Sequence, residues 1–423
     1  MRKAKTSVKT PFREWGRNAR VLIATEPLWS IPMSWIFFYR PIFMKSLGVS
    51  EVEIGFTITL YSILQTFLPL LGGYLADRFG RKRVFMLFDV MGWITSLILW
   101  ILATEFWQML LAIIFEGLVT VIFPVWECML VEDTCPEHRA SIYGYINLIY
   151  VSGSLLTPLA GIMVSTYGIV AGYRAMCILA LTSLTTMFIL RQIFLRETEI
   201  GKALLKERGE ISGFKGYRKA LQIVVRRKPI LLIFLCNILG ALYYTISGTY
   251  NALYLTDSRG LALDESLASL VPAASSVTSI LLLTIFSPMI REEKTLLKSL
   301  TIAYLLSALS LTVLVTAPKG YLSLATLSGV LSGFYTLAYP AIRTFLTNRI
   351  DVVDEKARAK VLSLSTTFSA LANWLTPTLA GYAYQIDPRI PFLASIAVLT
   401  TNIFITITIK QSIKEKRERR SLE

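Results

Sequence analysis

Apolar runs, each followed by a short polar turn, repeat along the chain from one end to the other. Twelve can be marked: Val21 to Met44, Ile54 to Ala76, Val84 to Ala103, Phe106 to Val131, Ile142 to Tyr167 and Ile169 to Leu190, then Pro229 to Leu255, Ser266 to Ile290, Leu296 to Thr316, Tyr321 to Thr347, Val361 to Tyr384 and Pro391 to Ile409. Each is close to the roughly 20 residues a helix needs to cross about 30 Å of hydrocarbon. In lipid the backbone must satisfy its polar groups within the segment, so runs of this length predict helices. The pattern therefore predicts an all-α membrane protein with 12 transmembrane helices. One connection is long and charged, and it divides the chain into residues 1–190 with six helices, a linker 191–228, and residues 229–423 with six more and a basic tail. Within the linker, Tyr217, Leu221, Val224 and Val225 recur at helical spacing beside Arg218, Lys219, Arg226 and Arg227. That spacing fits a helix lying on the anionic inner leaflet, and a solvated linker equally.

Charge orients the helices. Of 43 Lys and Arg, five (Arg40, Lys45, Arg259, Lys319 and Arg389) fall at one side, two (Arg174 and Arg343) lie within helices, and all others fall at the opposite side. Short loops rich in Lys and Arg stay inside, so both termini are expected in the cytoplasm of a multi-pass cell-membrane protein. A content of 54% hydrophobic and only 17% charged residues excludes a soluble globular chain. The net charge of +15 then reflects topology and not nucleic-acid binding. Cys128, Cys135, Cys177 and Cys236 lack paired metal spacing and read as free thiols. The single histidine, His138, sits in a loop, which excludes histidine chemistry within the membrane. Basic residues precede the first apolar run with no small-residue cleavage site, so the amino end is expected to be retained. No phosphate-binding loop, nucleophile elbow or zinc pattern is present, which argues against hydrolysis or ATP-driven pumping; no cofactor or metal is expected.

The densest polar turn runs Gly72-Gly73-Tyr74-Leu75-Ala76-Asp77-Arg78-Phe79-Gly80-Arg81-Lys82-Arg83. Gly72 and Gly73 allow helices to approach closely, and Gly80 suits the positive φ of a tight turn. Asp77 ends one helix and Arg81 begins the next, both unfavourable for the helix dipole, so these charges are expected to have partners elsewhere. This stretch resembles motif A of the major facilitator superfamily, Gly-x-Leu-Ala-Asp-Arg-x-Gly-Arg-Lys. The resemblance implies that family's fold of two pseudo-symmetric six-helix halves, a secondary transporter working by alternating access. It also implies that Asp77 meets the amino end of the eleventh helix near Arg358, while Arg81 pairs with Glu132 or Asp133, contacts that favour an outward-open form.

An internal repeat agrees with two halves. A shift of 216 residues brings Asp77-Arg78 onto Glu293-Lys294 and Pro124 onto Pro340. A shift of 219 brings Arg139-Ala140 onto Arg358-Ala359 and Thr157-Pro158 onto Thr376-Pro377. Only a remnant of the glycine-rich turn survives in the second half, at Met289 to Lys294. Such repeats build a midplane site that opens to either side. In the same register Glu127 and Arg343 are equivalent and oppositely charged, and in the family their helix ends meet when the inner side closes. They are therefore expected to pair as a gate.

Ionisable groups inside membrane helices are functional candidates by default. Glu116, near the middle of the fourth run, is the most deeply placed acid and the first candidate for proton coupling or substrate binding; its bland reading is a structural partner for Arg174. Glu26, ahead of Pro27 and Pro32, and Asp89 follow. A mostly apolar pocket with a few polar contacts is expected from Trp35, Tyr61, Gln65, Asn147, Asn237, Tyr243, Tyr244, Tyr250, Asn251, Asn373 and Trp374. Gly153, Pro158 and Gly161 resemble a degraded form of the glycine-proline motif of drug–proton antiporters. The expected function is proton-coupled efflux of a lipophilic or amphipathic compound, by a monomer whose partners are that small-molecule substrate, protons and the lipid bilayer. Uptake of a small organic nutrient, a non-transporting sensor and a lipid scramblase are the rivals.

Orientation yields the first test. Cysteines placed at Lys319 or Arg389 should react with a membrane-impermeant maleimide on intact cells, whereas one at Lys206 should not. The reverse pattern would invert the topology.

Overall fold

The computed structural model describes residues 15–199, 201–202, 215–286, 293–354 and 358–422. Among these residues the elements are helices: α1 (Arg17–Thr25), α2 (Pro27–Ser46), α3 (Glu51–Phe79), α4 (Arg81–Leu102), α5 (Phe106–Leu118), a 3-10 turn (Val119–Ile122), α6 (Phe123–Val131), α7 (Pro136–Leu155) and α8 (Thr157–Phe194). There follow α9 (Lys215–Arg226), α10 (Lys228–Thr256), α11 (Glu265–Ala268), α12 (Leu270–Phe286), α13 (Glu293–Thr316), α14 (Leu322–Ser332), a second 3-10 turn (Gly333–Leu337), α15 (Ala338–Asp354), α16 (Arg358–Ala372), α17 (Thr376–Ile386) and α18 (Ile390–Leu422). Nine helical stretches among the described residues are long and apolar enough to cross a membrane. The linker is helical over α9, with Val224 buried and Leu221 and Val225 exposed. The remnant turn at 289–292 lies outside the described residues.

The breaks inside the apolar runs have local causes. Proline lacks an N–H and collides with the carbonyl four residues back. Pro124 and Pro340 each follow a 3-10 turn, at 119–122 and 333–337, so the two prolines that the repeat aligned distort their helices alike. Thr157-Pro158 and Thr376-Pro377 likewise each open a new helix just after a break. The fifth and sixth runs are joined in α8, where Gly168 alone departs from helical geometry, at φ 74°.

The chain forms two compact units. One gathers Met1–Ser34, Phe67–Gly153 and Arg174–Glu210; the other gathers Trp35–Thr66, Ser154–Tyr173 and Ile211–Glu423. In the first, α4 packs along α5 and α6, and α1 rests on α6. Gly72 of α3 lies so close to the Val121 carbonyl that a β-carbon has no room. In the second, α13 packs against α18 and α14, α10 against α18, and α9 against α10 and α16. There α3 meets α17 where two glycines face: a β-carbon on Gly55 would strike the Pro377 carbonyl, and one on Gly381 would lie 2.6 Å from the Glu51 carbonyl.

The Gly55–Gly381 crossing leaves no space for side chains. Gly55→Val should therefore cost about 1–3 kcal/mol through overpacking, read as a lower melting temperature in detergent. An unchanged melting temperature would show the crossing to be loose.

Candidate functional site

In the first unit three buried charges from three helices converge. Glu26 sits between α1 and α2 with helical backbone angles, just before Pro27, which has no N–H to give to the preceding turn. Asp89 projects from the third turn of α4, and Arg191 from the last turn of α8. Arg191 Nη2 donates to Glu26 Oε2 at 2.6 Å, Nη1 to Asp89 Oδ2 at 3.4 Å, and Nε to Thr25 Oγ1 at 3.0 Å. Glu26, Asp89 and Arg191 are 4%, 2% and 3% exposed, so water does little to screen them. Tyr150 of α7 donates its hydroxyl to Glu26 Oε1 at 3.0 Å. Aromatic rings enclose the group: Phe85 lies under the guanidinium, and Trp29 packs edge-on against Trp93 and Tyr150. Two carboxyls around one guanidinium are neutral with one proton bound and carry a net negative charge without it.

The sequence pattern singled out Glu26 and Asp89 but assigned Arg191 to the linker, because the apolar run stops at Leu190. The structure corrects this: Arg191 is helical and buried. A lone arginine one residue beyond an apolar run, in a chain with two unmatched intramembrane acids, was the available signal.

Gly80 takes φ 93°, and Arg81, 6% exposed, forms an ion pair with Glu132. Asp133 accepts instead from Asn18 Nδ2 at 3.3 Å. The Glu197 carboxylate accepts from the Lys82 N–H at 3.0 Å, a favourable anion at the amino end of α4. Arg78 Nη1 donates to the Tyr74 hydroxyl at 2.9 Å. Gly73 and Asp77 lie within α3, but their surroundings, like those of Arg358, fall outside the described residues.

Glu116 is 3% exposed near the end of α5. Arg174 donates to the Ala103 carbonyl at 3.1 Å. That carbonyl precedes α5, about 20 Å from Glu116 at helical rise, so Arg174 is tied at the other end of the helix. Glu127 accepts from the Tyr143 hydroxyl at 3.1 Å in the first unit, and Arg343 donates to Thr366 at 3.1 Å in the second, lying over the Tyr339 ring.

The second unit holds most of the expected pocket residues. Tyr335, which the sequence pattern did not single out, sits in the 3-10 turn and donates to the Gly240 carbonyl at 2.8 Å. Its ring packs edge-on to Tyr243 and stacks near Tyr244. Tyr243 is buried, whereas Tyr244 and Tyr339 are exposed. Asn237 donates to Ser365 and Ser369 at 3.0 and 2.8 Å, and Trp374 to Thr66 at 3.0 Å. Asn251 and Asn373 each keep a buried amide oxygen without a hydrogen bond among the described residues. In the first unit Asn147 is exposed; in the second Gln65 is exposed, Tyr61 half-buried and Trp35 buried. Tyr250 departs from expectation. It is fully buried at the glycine crossing, with its hydroxyl 2.6 Å from the Pro377 carbonyl and 3.1 Å from the Glu51 carbonyl. It joins α10, α3 and α17 and lines no open space.

Beside this crossing the helix ends are latched by charge. Glu51 Oε1 accepts from Lys45 Nζ and Arg259 Nη2, each at 2.7 Å. Arg259 also reaches Asp257 at 3.3 Å and the Gln385 carbonyl at 3.2 Å, and the Tyr384 hydroxyl lies 3.3 Å from Asp257. Lys45, Glu51, Asp257 and Tyr384 border a pocket of about 240 Å³. Burial alone would raise the Glu51 carboxyl; the hydrogen bond from Lys45 and the charges of Lys45 and Arg259 outweigh it and hold the carboxyl below its ordinary value. Among the described residues no group of three or more His, Cys, Asp or Glu could hold a metal ion.

The sequence model of the Major Facilitator Superfamily matches residues 29–351. Multidrug resistance protein 2 of Bacillus subtilis (strain 168) is 22% identical over 375 residues, 88% of this chain and 90% of that protein. Quinolone resistance protein NorA of Staphylococcus aureus (strain MSSA476) is 21% identical over 384 residues, 89% and 92% of the two chains. Among solved structures, a bacterial homolog to the human lysosomal transporter Spinster, inward-facing and unoccupied, aligns with a TM-score of 0.68 at 16% identity, covering 96% of this chain and 98% of that one. A peptide transporter, POT, aligns with a TM-score of 0.71 at 14% identity, covering 94% and 95%. These structural likenesses establish the fold.

The latch has a defined pH response. A carboxyl held below its ordinary value of 4.5 stabilises fully above that value and loses the contribution as pH falls through its lowered one. The stability difference between wild type and Glu51→Gln should therefore be constant from pH 8 to about 5 and shrink below about 4. A difference that vanishes near neutral pH would contradict the ion pairing.

Proposed function

Because the chain belongs to the Major Facilitator Superfamily, we propose that it is a secondary transporter exporting a lipophilic or amphipathic compound in exchange for protons. Twelve helices in two pseudo-symmetric halves would cross the cell membrane, with both termini in the cytoplasm, and rock about a midplane site. The observation that carries the coupling is the Glu26–Arg191–Asp89 cluster, whose buried charge balances only when one carboxyl is protonated. Tyr150, hydrogen-bonded to Glu26 and 37% exposed, offers the cluster a route to the surface. Glu116 is the second coupling candidate, buried on a different helix.

The latch of Lys45, Glu51, Asp257 and Arg259 lies on the side that charge distribution assigns to the exterior, where it ties the residues after α10 to the start of α3. Exposed Tyr244 and Tyr339 beside Arg343 offer aromatic faces for a flat apolar solute. Two relatives are named for multidrug and quinolone resistance, which supports efflux over uptake.

Transport of a lipophilic dye in proteoliposomes tests the reading. Glu26→Gln should abolish export driven by a pH gradient while leaving dye counterflow intact, because an amide cannot cycle a proton. Arg191→Gln should lose about 3–5 kcal/mol of stability by leaving two acids buried together. If Glu26→Gln keeps full gradient-driven export and Glu116→Gln loses it, coupling resides at Glu116; dye accumulation with the gradient reversed would indicate uptake.

A further inference from the structure

Between the foot of α1 and the end of α8 lies a pocket of about 620 Å³, lined by Arg17, Arg20, Val21, Ala24, Leu190 and Phe194. It plays no part in the coupling chemistry above. We propose that it seats one anionic phospholipid, with the phosphate between the two arginines and the upper acyl chain along the apolar wall. The assignment of this end to the cytoplasmic leaflet rests on the topology proposed above; the pocket and its chemistry do not.

Four features point to this occupant. Arg17 and Arg20 lie three residues apart on one face of α1, where like charges repel unless an anion lies between them. Arg17 Nε donates to the Phe194 carbonyl at 2.9 Å, which fixes its guanidinium at the rim. Arg20 Nε is buried and makes no hydrogen bond among the described residues, a donor in need of an acceptor. Both arginines stand in the first turn of α1, whose amino end adds positive potential. Guanidinium groups match phosphate geometry, and basic pockets between helices on the inner side are sites for anionic headgroups.

The rest of the wall decides between a lipid and a free anion. Val21, Ala24, Leu190 and Phe194 offer nothing to a phosphate ion, but Ala24 and Phe194 expose apolar surface that an acyl chain would cover. The volume has room for roughly twenty water-sized groups, more than a headgroup phosphate alone requires. The far end of the pocket is Thr25, whose hydroxyl accepts from Arg191 Nε at 3.0 Å. A lipid seated here lies one side chain from the Glu26–Arg191–Asp89 cluster.

Native mass spectrometry of the full chain in detergent tests the seat, with phosphatidylglycerol and phosphatidylcholine offered in equal amounts. Wild type should retain phosphatidylglycerol preferentially, and Arg17→Gln and Arg20→Gln should each weaken retention roughly fivefold. Arg20→Lys should retain most of it, and Ala24→Trp, which fills the apolar wall with both charges kept, should weaken it. The two last variants keep the test sharp if Arg20→Gln does not fold. Equal retention of the two lipids, retention unchanged in both Arg17→Gln and Arg20→Gln, or displacement of the lipid by millimolar inorganic phosphate would overturn the proposal. These readouts need neither transport nor a pH gradient, so they stand apart from the outcome of the coupling experiment.

Discussion

An unpaired charge in hydrocarbon is the constraint on which the rest of this molecule depends. Arg191 can be buried only because Glu26 and Asp89 meet it, and those acids only because Arg191 meets them. The three come from α1, α4 and α8, so the requirement fixes the relative placement of three helices. The same rule explains Arg81, whose burial at the unfavourable end of α4 is matched by Glu132.

Where charge does not fix packing, small residues do. Between apolar helices in lipid there is little hydrophobic drive, so close van der Waals contact and shared hydrogen bonds hold them together. Gly72 against the Val121 carbonyl, Gly55 against the Pro377 carbonyl and Gly381 against the Glu51 carbonyl bring backbones into contact. Tyr250 then spans the second crossing, its hydroxyl shared by two carbonyls from different helices. Prolines add the bends: Pro124 and Pro340 each follow a 3-10 turn, so helices related by the repeat carry similar distortions.

What could be read from the chain was whatever a short stretch determines by itself. Apolar runs placed the helices, Gly80 its positive φ, and the charges at the turn their need for partners, which Arg81 found in Glu132. What could not be read depends on residues far apart in sequence. The position of Arg191 one residue beyond an apolar run hints at its role, but its partners do not show locally: its acids stand 165 and 102 residues away. Tyr250 has the same composition signal as Tyr244, yet one is clamped between glycines from two other helices while the other is exposed. Tyr335 was overlooked because its setting, a 3-10 turn against Gly240, exists only after two helices pack.

The two charged centres differ in a way that bears on how protons act. The latch sets Lys45 and Arg259 against Glu51 and Asp257, two charges of each sign, so it is balanced with every carboxyl ionised. Gaining a proton would unbalance it, and Glu51 is accordingly held below its ordinary value. The buried cluster sets one cation against two acids, so its formal charges do not cancel. Charge arithmetic alone therefore separates a contact whose formal charges cancel from one whose charges do not. An uneven count weighs most where the medium is dry, because there each charge is screened least.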